Sequence, residues 1–116
     1  MIVRNNERRI DTMENMLGGP GSAIFKRIIQ TPEELYGKGR VFSVLTLEKN
    51  CGVGYHVHQG DGEFYLILSG EAEYNDNGEV TTLREGDFSF TDAGEGHAIT
   101  NLRDEPATVL ALVLYK

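Results

Sequence analysis

From about Ser22 onward the chain alternates apolar and polar positions in short segments rich in Val, Ile, Thr, Phe and Tyr, broken by clusters of Gly, Asn and Asp. A period of two puts successive side chains on opposite faces of an extended strand, so this pattern predicts β-structure. The expected strands are residues 23–29, 40–48, 54–58, 63–69, 71–75, 79–83, 87–91, 97–101 and 108–115. One helical turn is expected at Pro32–Leu35. Thr31 is an N-capping type there, Pro32 suits the first helical position, and Glu33 and Glu34 favour the positive end of the helix dipole. Asn77-Gly78 predicts a two-residue type I′ hairpin, which needs positive φ at both central positions.

Many short strands with closely spaced turns leave a sandwich or a barrel, and periodicity does not choose between them. The start of the chain differs. A weak pattern holding Met13, Met16 and Leu17 runs into the loop signal Gly18-Gly19-Pro20-Gly21. Residues 1–21 therefore read as an arm and 22–116 as one domain. An arm with an apolar edge covers either its own barrel or a neighbouring subunit, and exposed sheet edges in a small β domain favour a homodimer.

Composition narrows the class. At 116 residues and 12.9 kDa, with 40% hydrophobic and 25% charged residues, the chain has room for one core. Eleven basic against 18 acidic residues give a formal charge of −7, which repels a phosphate backbone and argues against nucleic-acid binding. The longest apolar run, residues 107–115 interrupted only by Thr108, falls far short of the roughly 20 residues of a membrane helix. The charged N-terminus has no apolar stretch behind it of the kind a secretory signal carries, so a cytoplasmic location is expected. Cys51 is the only cysteine, which excludes an internal disulfide.

The candidate chemistry lies in the histidines. His56 and His58 are two apart on an expected strand and share a face. Glu63 follows the turn Gln59-Gly60-Asp61-Gly62 at the head of the next strand, where antiparallel pairing brings its carboxylate opposite the imidazoles. His97 opens a later strand after Ala93-Gly94-Glu95-Gly96 and supplies a fourth donor if that strand lies beside the hairpin. Mixed imidazole and carboxylate donors suit one divalent transition ion, Mn, Fe, Ni or Zn, better than Ca or Mg. Asp92 and Glu95 near His97 are candidates for a general base or simply solvated loop carboxylates. No phosphate-binding loop, HExxH, CxxC or Gly-x-Ser-x-Gly motif is present.

The run Asn50 to His58 with its His-x-His, then Glu63, then Gly70, resembles the first motif of the cupin superfamily, and Gly86, Gly94, His97 and Asn101 resemble the second in their spacing. The resemblance covers about the central half of the chain, and the rest is similar to small single-domain cupins labelled mannose-6-phosphate-isomerase-like. It implies an all-β, antiparallel jelly-roll barrel, with His56, His58, Glu63 and His97 as metal ligands. Tyr65, two residues on from Glu63 and on the same strand face, is the candidate substrate-binding residue by its phase. Four ligands in an octahedral arrangement leave two adjacent positions open. That fits a metal-dependent enzyme (isomerase, decarboxylase, lyase or dioxygenase) acting on a small polar metabolite such as a sugar or carboxylic acid. Two other classes stay open: a non-catalytic module that binds or senses a small ligand, and a structural metal site. Asn50 stands where the first motif has glycine and Asp92 where the second has proline. Asn tolerates left-handed angles well, so the first departure leaves the turn intact, while the second loosens the rim before His97.

Overall fold

The computed structural model describes residues 1–116. Ten strands follow in order: β1 (Ile10–Glu14), β2 (Ser22–Arg27), β3 (Gly39–Leu47), β4 (Cys51–Val57), β5 (Asp61–Ser69), β6 (Glu71–Asp76), β7 (Glu79–Arg84), β8 (Phe88–Thr91), β9 (Gly96–Asn101) and β10 (Ala107–Tyr115). They build two antiparallel sheets, one ordered β1-β2-β3-β10-β5-β8 and the other β4-β9-β6-β7. The chain crosses between the sheets and the inner faces pack on each other, which is the jelly-roll architecture expected from the resemblance.

Alternation decides what is inside. On β10, Ala107, Val109, Ala111 and Val113 are fully buried while the residues between them are not. Leu45 and Leu47 of β3, Ile67 of β5, Tyr74 of β6 and Ile99 of β9 meet them in one core. Asn77 and Gly78 both have positive φ between β6 and β7, as the hairpin requires. Asn50 has φ 58° and makes the left-handed turn into β4 without glycine.

The expected strands are found with ends shifted by a few residues, and the expected helical turn at Pro32–Leu35 is found at the same residues. The turn at Pro32–Leu35 is a 3-10 helix, and Thr31 holds the extended backbone of an N-cap without making a side-chain cap bond. The expected strand at 54–58 begins earlier, at Cys51, and stops before His58. At the N-terminus, β1 pairs with β2 over Ile10 to Glu14, and a 3-10 turn at Met16–Gly18 packs on β4. That approach is backbone against backbone. A Cβ on Gly19 would stand 2.6 Å from the Gly54 nitrogen, and one on Gly54 would collide with the Leu17 carbonyl.

Candidate metal centre

His56 and His97 face each other across the β4–β9 ladder, which is irregular between Val53 and His56. Val53 points into the core, and strict alternation would turn His56 outward. The irregularity inserts the extra step that re-aims it. His58 sits just past β4, where its backbone N–H donates to the Glu95 carbonyl and its carbonyl accepts from Gly94. Glu63 comes from β5 in the opposite sheet, flanked in register by Thr91 and Val113. The centre thus joins both sheets.

The four side chains converge. His97 Nε2 lies 3.1 Å from His58 Nε2 and 3.2 Å from His56 Nε2. Glu63 Oε1 is 3.1 Å from His97 Nε2 and 3.3 Å from His58 Nε2. His58, Glu63 and His97 are buried and His56 is half-buried. All four donor atoms fall within 4.8 Å of one another.

What holds the rings decides which nitrogen is free. His56 Nδ1 is 2.8 Å from the Gly54 carbonyl, and His58 Nδ1 is 2.7 Å from Asp61 Oδ1. A carbonyl and a carboxylate only accept, so in the neutral rings both Nδ1 atoms carry the proton and both Nε2 lone pairs are bare. His97 Nδ1 meets the Tyr74 hydroxyl at 2.8 Å and Thr91 Oγ1 at 2.9 Å. Bare lone pairs and a carboxylate oxygen aimed at one spot repel unless a cation lies among them. At metal–nitrogen distances near 2.1 Å, adjacent donors are about 3.0 Å apart at right angles and about 3.4 Å apart in a tetrahedron. The 3.1 to 3.3 Å separations fall in that range. The donor set fits a divalent transition ion.

With no ion between them, electrostatics separate the rings, leaving His56 neutral and drawing a proton to His58 on its Glu63 side. Burial lowers the His56 pKa, keeping that ring neutral, and the neighbouring His97 and His58 add to the effect. The Glu63 hydrogen bond raises the His58 pKa despite burial. Burial pushes the Glu63 carboxyl up, but hydrogen bonds from His58 and His97 outweigh it and hold the group below its ordinary range. Burial, then the Glu63 charge, drives the Tyr65 phenol well above its usual value.

All four expected ligands meet here. Tyr65 stacks on the His97 ring, centroids 4.9 Å apart and planes 21° from parallel, and borders a cavity of about 360 Å³ beside the cluster. Asp92 and Glu95 do not border it. The Glu95 carboxylate accepts from the Asp92 N–H and the Asp92 carboxylate from the Ala93 N–H, so both close their own turn. Sequence reasoning missed Asp61, read as part of a turn, although an acid three residues after His58 was the available signal. Asp61 is buried and also receives Arg40 Nε at 3.0 Å. Arg40 on the cavity wall gave no signal, since nothing local to it marks a pocket, whereas Met16 and Leu17, the apolar edge of the arm, lie on that same wall.

A jelly roll enclosing a His-x-His, glutamate and histidine cluster defines a class, and residues 43–113 match the family model described as the Cupin_2 cupin domain. The chain belongs to the cupin family. An "Oxalate-binding protein" of Thermotoga maritima is 35% identical over 114 residues, covering 98% of this chain and 93% of that one. A crystal structure described as a predicted oxalate decarboxylase from the same organism superposes with TM-score 0.93 at 34% identity, covering 100% of both chains. KdgF from Halomonas sp. shares the fold, with TM-score 0.74 at 15% identity over 100% of this chain and 94% of that one.

Proposed function

We propose that this chain binds one divalent transition metal ion through His56, His58, Glu63 and His97 and uses that centre to take a small carboxylic acid of the oxalate class. The observation that carries the metal reading is the convergence of imidazole nitrogens whose protons are held on the far side of the ring by Gly54 and Asp61. The acid class is supported by the names of the Thermotoga maritima matches and by Arg40, the one Lys or Arg on the cavity wall. Net charge describes the far field, so an acidic protein can still recognise an anion through a single well-placed guanidinium.

When bound, the ion would polarise ligand oxygens and lower the pKa of coordinated water. The chain's own residues do the rest. Phe25, Val41, Val53 and Val113 form apolar wall that excludes water and strengthens charge interactions. Arg40 stands at the rim, anchored by Asp61, with guanidinium nitrogens left for a ligand carboxylate. Tyr65 keeps its proton, because burial and Glu63 both oppose ionisation, and so is a hydrogen-bond donor. The acidic side chains on the wall, Glu63 and Asp61, are both engaged, so Tyr65 holds a ligand oxygen through its hydroxyl proton rather than giving that proton up. Turnover of such an acid, in the decarboxylase or lyase class, belongs to this reading, as do a cytoplasmic location and a homodimer.

Elemental analysis of the purified chain is expected to find about one transition ion per chain, with His56→Ala and His97→Ala each losing most of it. Full retention in both variants overturns the metal assignment. Calorimetry of the metal-loaded protein is expected to show oxalate binding that weakens roughly tenfold or more in Arg40→Ala. Equal affinity in both sinks the acid reading and leaves the metal untouched.

A further inference from the structure

Three arginines of this acidic chain, Arg9, Arg27 and Arg40, line a second cavity that none of the four histidine and glutamate donors borders. It holds about 320 Å³ between the end of β2, the start of β3, the segment joining them and Arg9 just ahead of β1. No acidic side chain lines it.

Local structure sets these groups there. Arg27 continues the inward phase of Ala23 and Phe25 on β2 and pairs in register with buried Ser43. Its guanidinium lies 4.8 Å over the Phe25 ring, and its side chain is only 18% exposed. The Arg9 carbonyl accepts from the Arg27 N–H, which ties the approach to β1 onto the end of β2. The Ile28 N–H donates to the Phe42 carbonyl, holding the segment after β2 against β3 and bringing Gln30 to the cavity wall.

The charges around this cavity do not close. One carboxylate, Asp11, is shared by Arg9 and Arg27, and Asp61, which pairs with Arg40, is also engaged by His58. Arg27 bonds through Nε and Nη1 and Arg40 through Nε alone, so Nη2 of Arg27 and both Nη atoms of Arg40 are left to donate. A separate observation concerns a neutral group. Gln30 Nε2 is buried without a hydrogen-bond partner, which costs stability unless an acceptor comes to it.

From the unspent guanidinium nitrogens and the orphaned amide, the structure assigns this cavity to a phosphate group, free or carried by a small metabolite. A carboxylate matches a single planar guanidinium fork, whereas donors from three separate side chains match the three free oxygens of a phosphate. The volume stands at the low end of the roughly 300–1,000 Å³ of small-molecule pockets, so the occupant is compact. Arg40 and Val41 also border the metal cavity, which makes the two sites neighbours. The metal reading is not needed for this one, because the four proposed ligands take no part in it.

Calorimetric titration of the purified chain with inorganic phosphate at low salt is expected to show one saturable site, weakening as salt is raised. Arg27→Gln and Gln30→Leu should each lower the affinity roughly tenfold or more, while His97→Ala stays within about twofold of the wild type. Arg27→Gln breaks the pair with Asp11, but Gln30→Leu keeps the volume and removes no bond of the amide nitrogen, so its fold should stay intact by circular dichroism. Tighter binding of glycerol 3-phosphate than of inorganic phosphate identifies a metabolite as the occupant, and equal affinity identifies free phosphate. Absence of saturable binding up to about 10 millimolar of either overturns the site. Binding indifferent to Gln30→Leu overturns it as well, and if that binding vanishes in His97→Ala the anion sits at the metal centre instead.

Discussion

At the scale of single residues, Asp61 shows how a side chain that touches no ion sets the site. Its carboxylate receives His58 Nδ1 and Arg40 Nε, fixing the ring's tautomer and leaving the guanidinium turned to the cavity. Burial pushes its carboxyl up, but those two hydrogen bonds outweigh it and hold the group below its ordinary range, so it is charged at neutral pH. Asp61→Asn keeps the shape but can present an amide N–H to Nδ1, which would free the proton to occupy Nε2. Metal affinity should fall roughly 10- to 100-fold, read by chelator competition, with the fold intact by circular dichroism. The four candidate ligands were legible because residue type and spacing state them. Asp61 was not, since an acid in a glycine-flanked turn has the same local appearance whether solvated or buried, and only the fold sets it against Arg40.

At the scale of elements, legibility followed periodicity. Strands with one buried face showed in the chain within a few residues, and positive φ at Asn77 and Gly78 was stated by the residue types. The strand β1 was not visible. Four of its five residues are exposed, so no alternation marks it, and it is held by backbone pairing and by charge. Asp11 on β1 receives Arg27 Nε from β2 at 2.8 Å and also pairs with Arg9. The Arg27 hydrogen bond, then that of Arg9, holds the Asp11 pKa below 3.8. A carboxyl lowered on folding stabilises the native state above its unfolded value and loses that contribution as pH falls through its folded value. Asp11→Asn should therefore lower the melting temperature slightly at pH 7, with the gap to the wild type closing as pH drops below about 4. A gap that widens on acidification would exclude this pairing as the source.

At the scale of the molecule, the centre is where the two sheets meet. His56 and His97 belong to the four-stranded sheet, Glu63 to the six-stranded one, and His58 to the connection leaving β4 toward β5. Without an ion, a buried carboxylate and converging lone pairs sit where a packed core would place apolar groups, and buried polar atoms without full compensation cost stability. An ion held by all four side chains, as proposed, would remove that cost and link the sheets, and the unfolded chain has no equivalent site. Binding to the native state alone adds about 2.7 kcal/mol when free metal stands at a hundred times the dissociation constant. In a domain of this size each kcal/mol moves the midpoint by about 4 °C or more, so a strong chelator should lower the melting temperature by about 10 °C. The same chelator should leave His97→Ala almost unmoved, because that variant has already lost the ion. A wild type whose midpoint ignores the chelator would mean that the ion contributes nothing to joining the sheets.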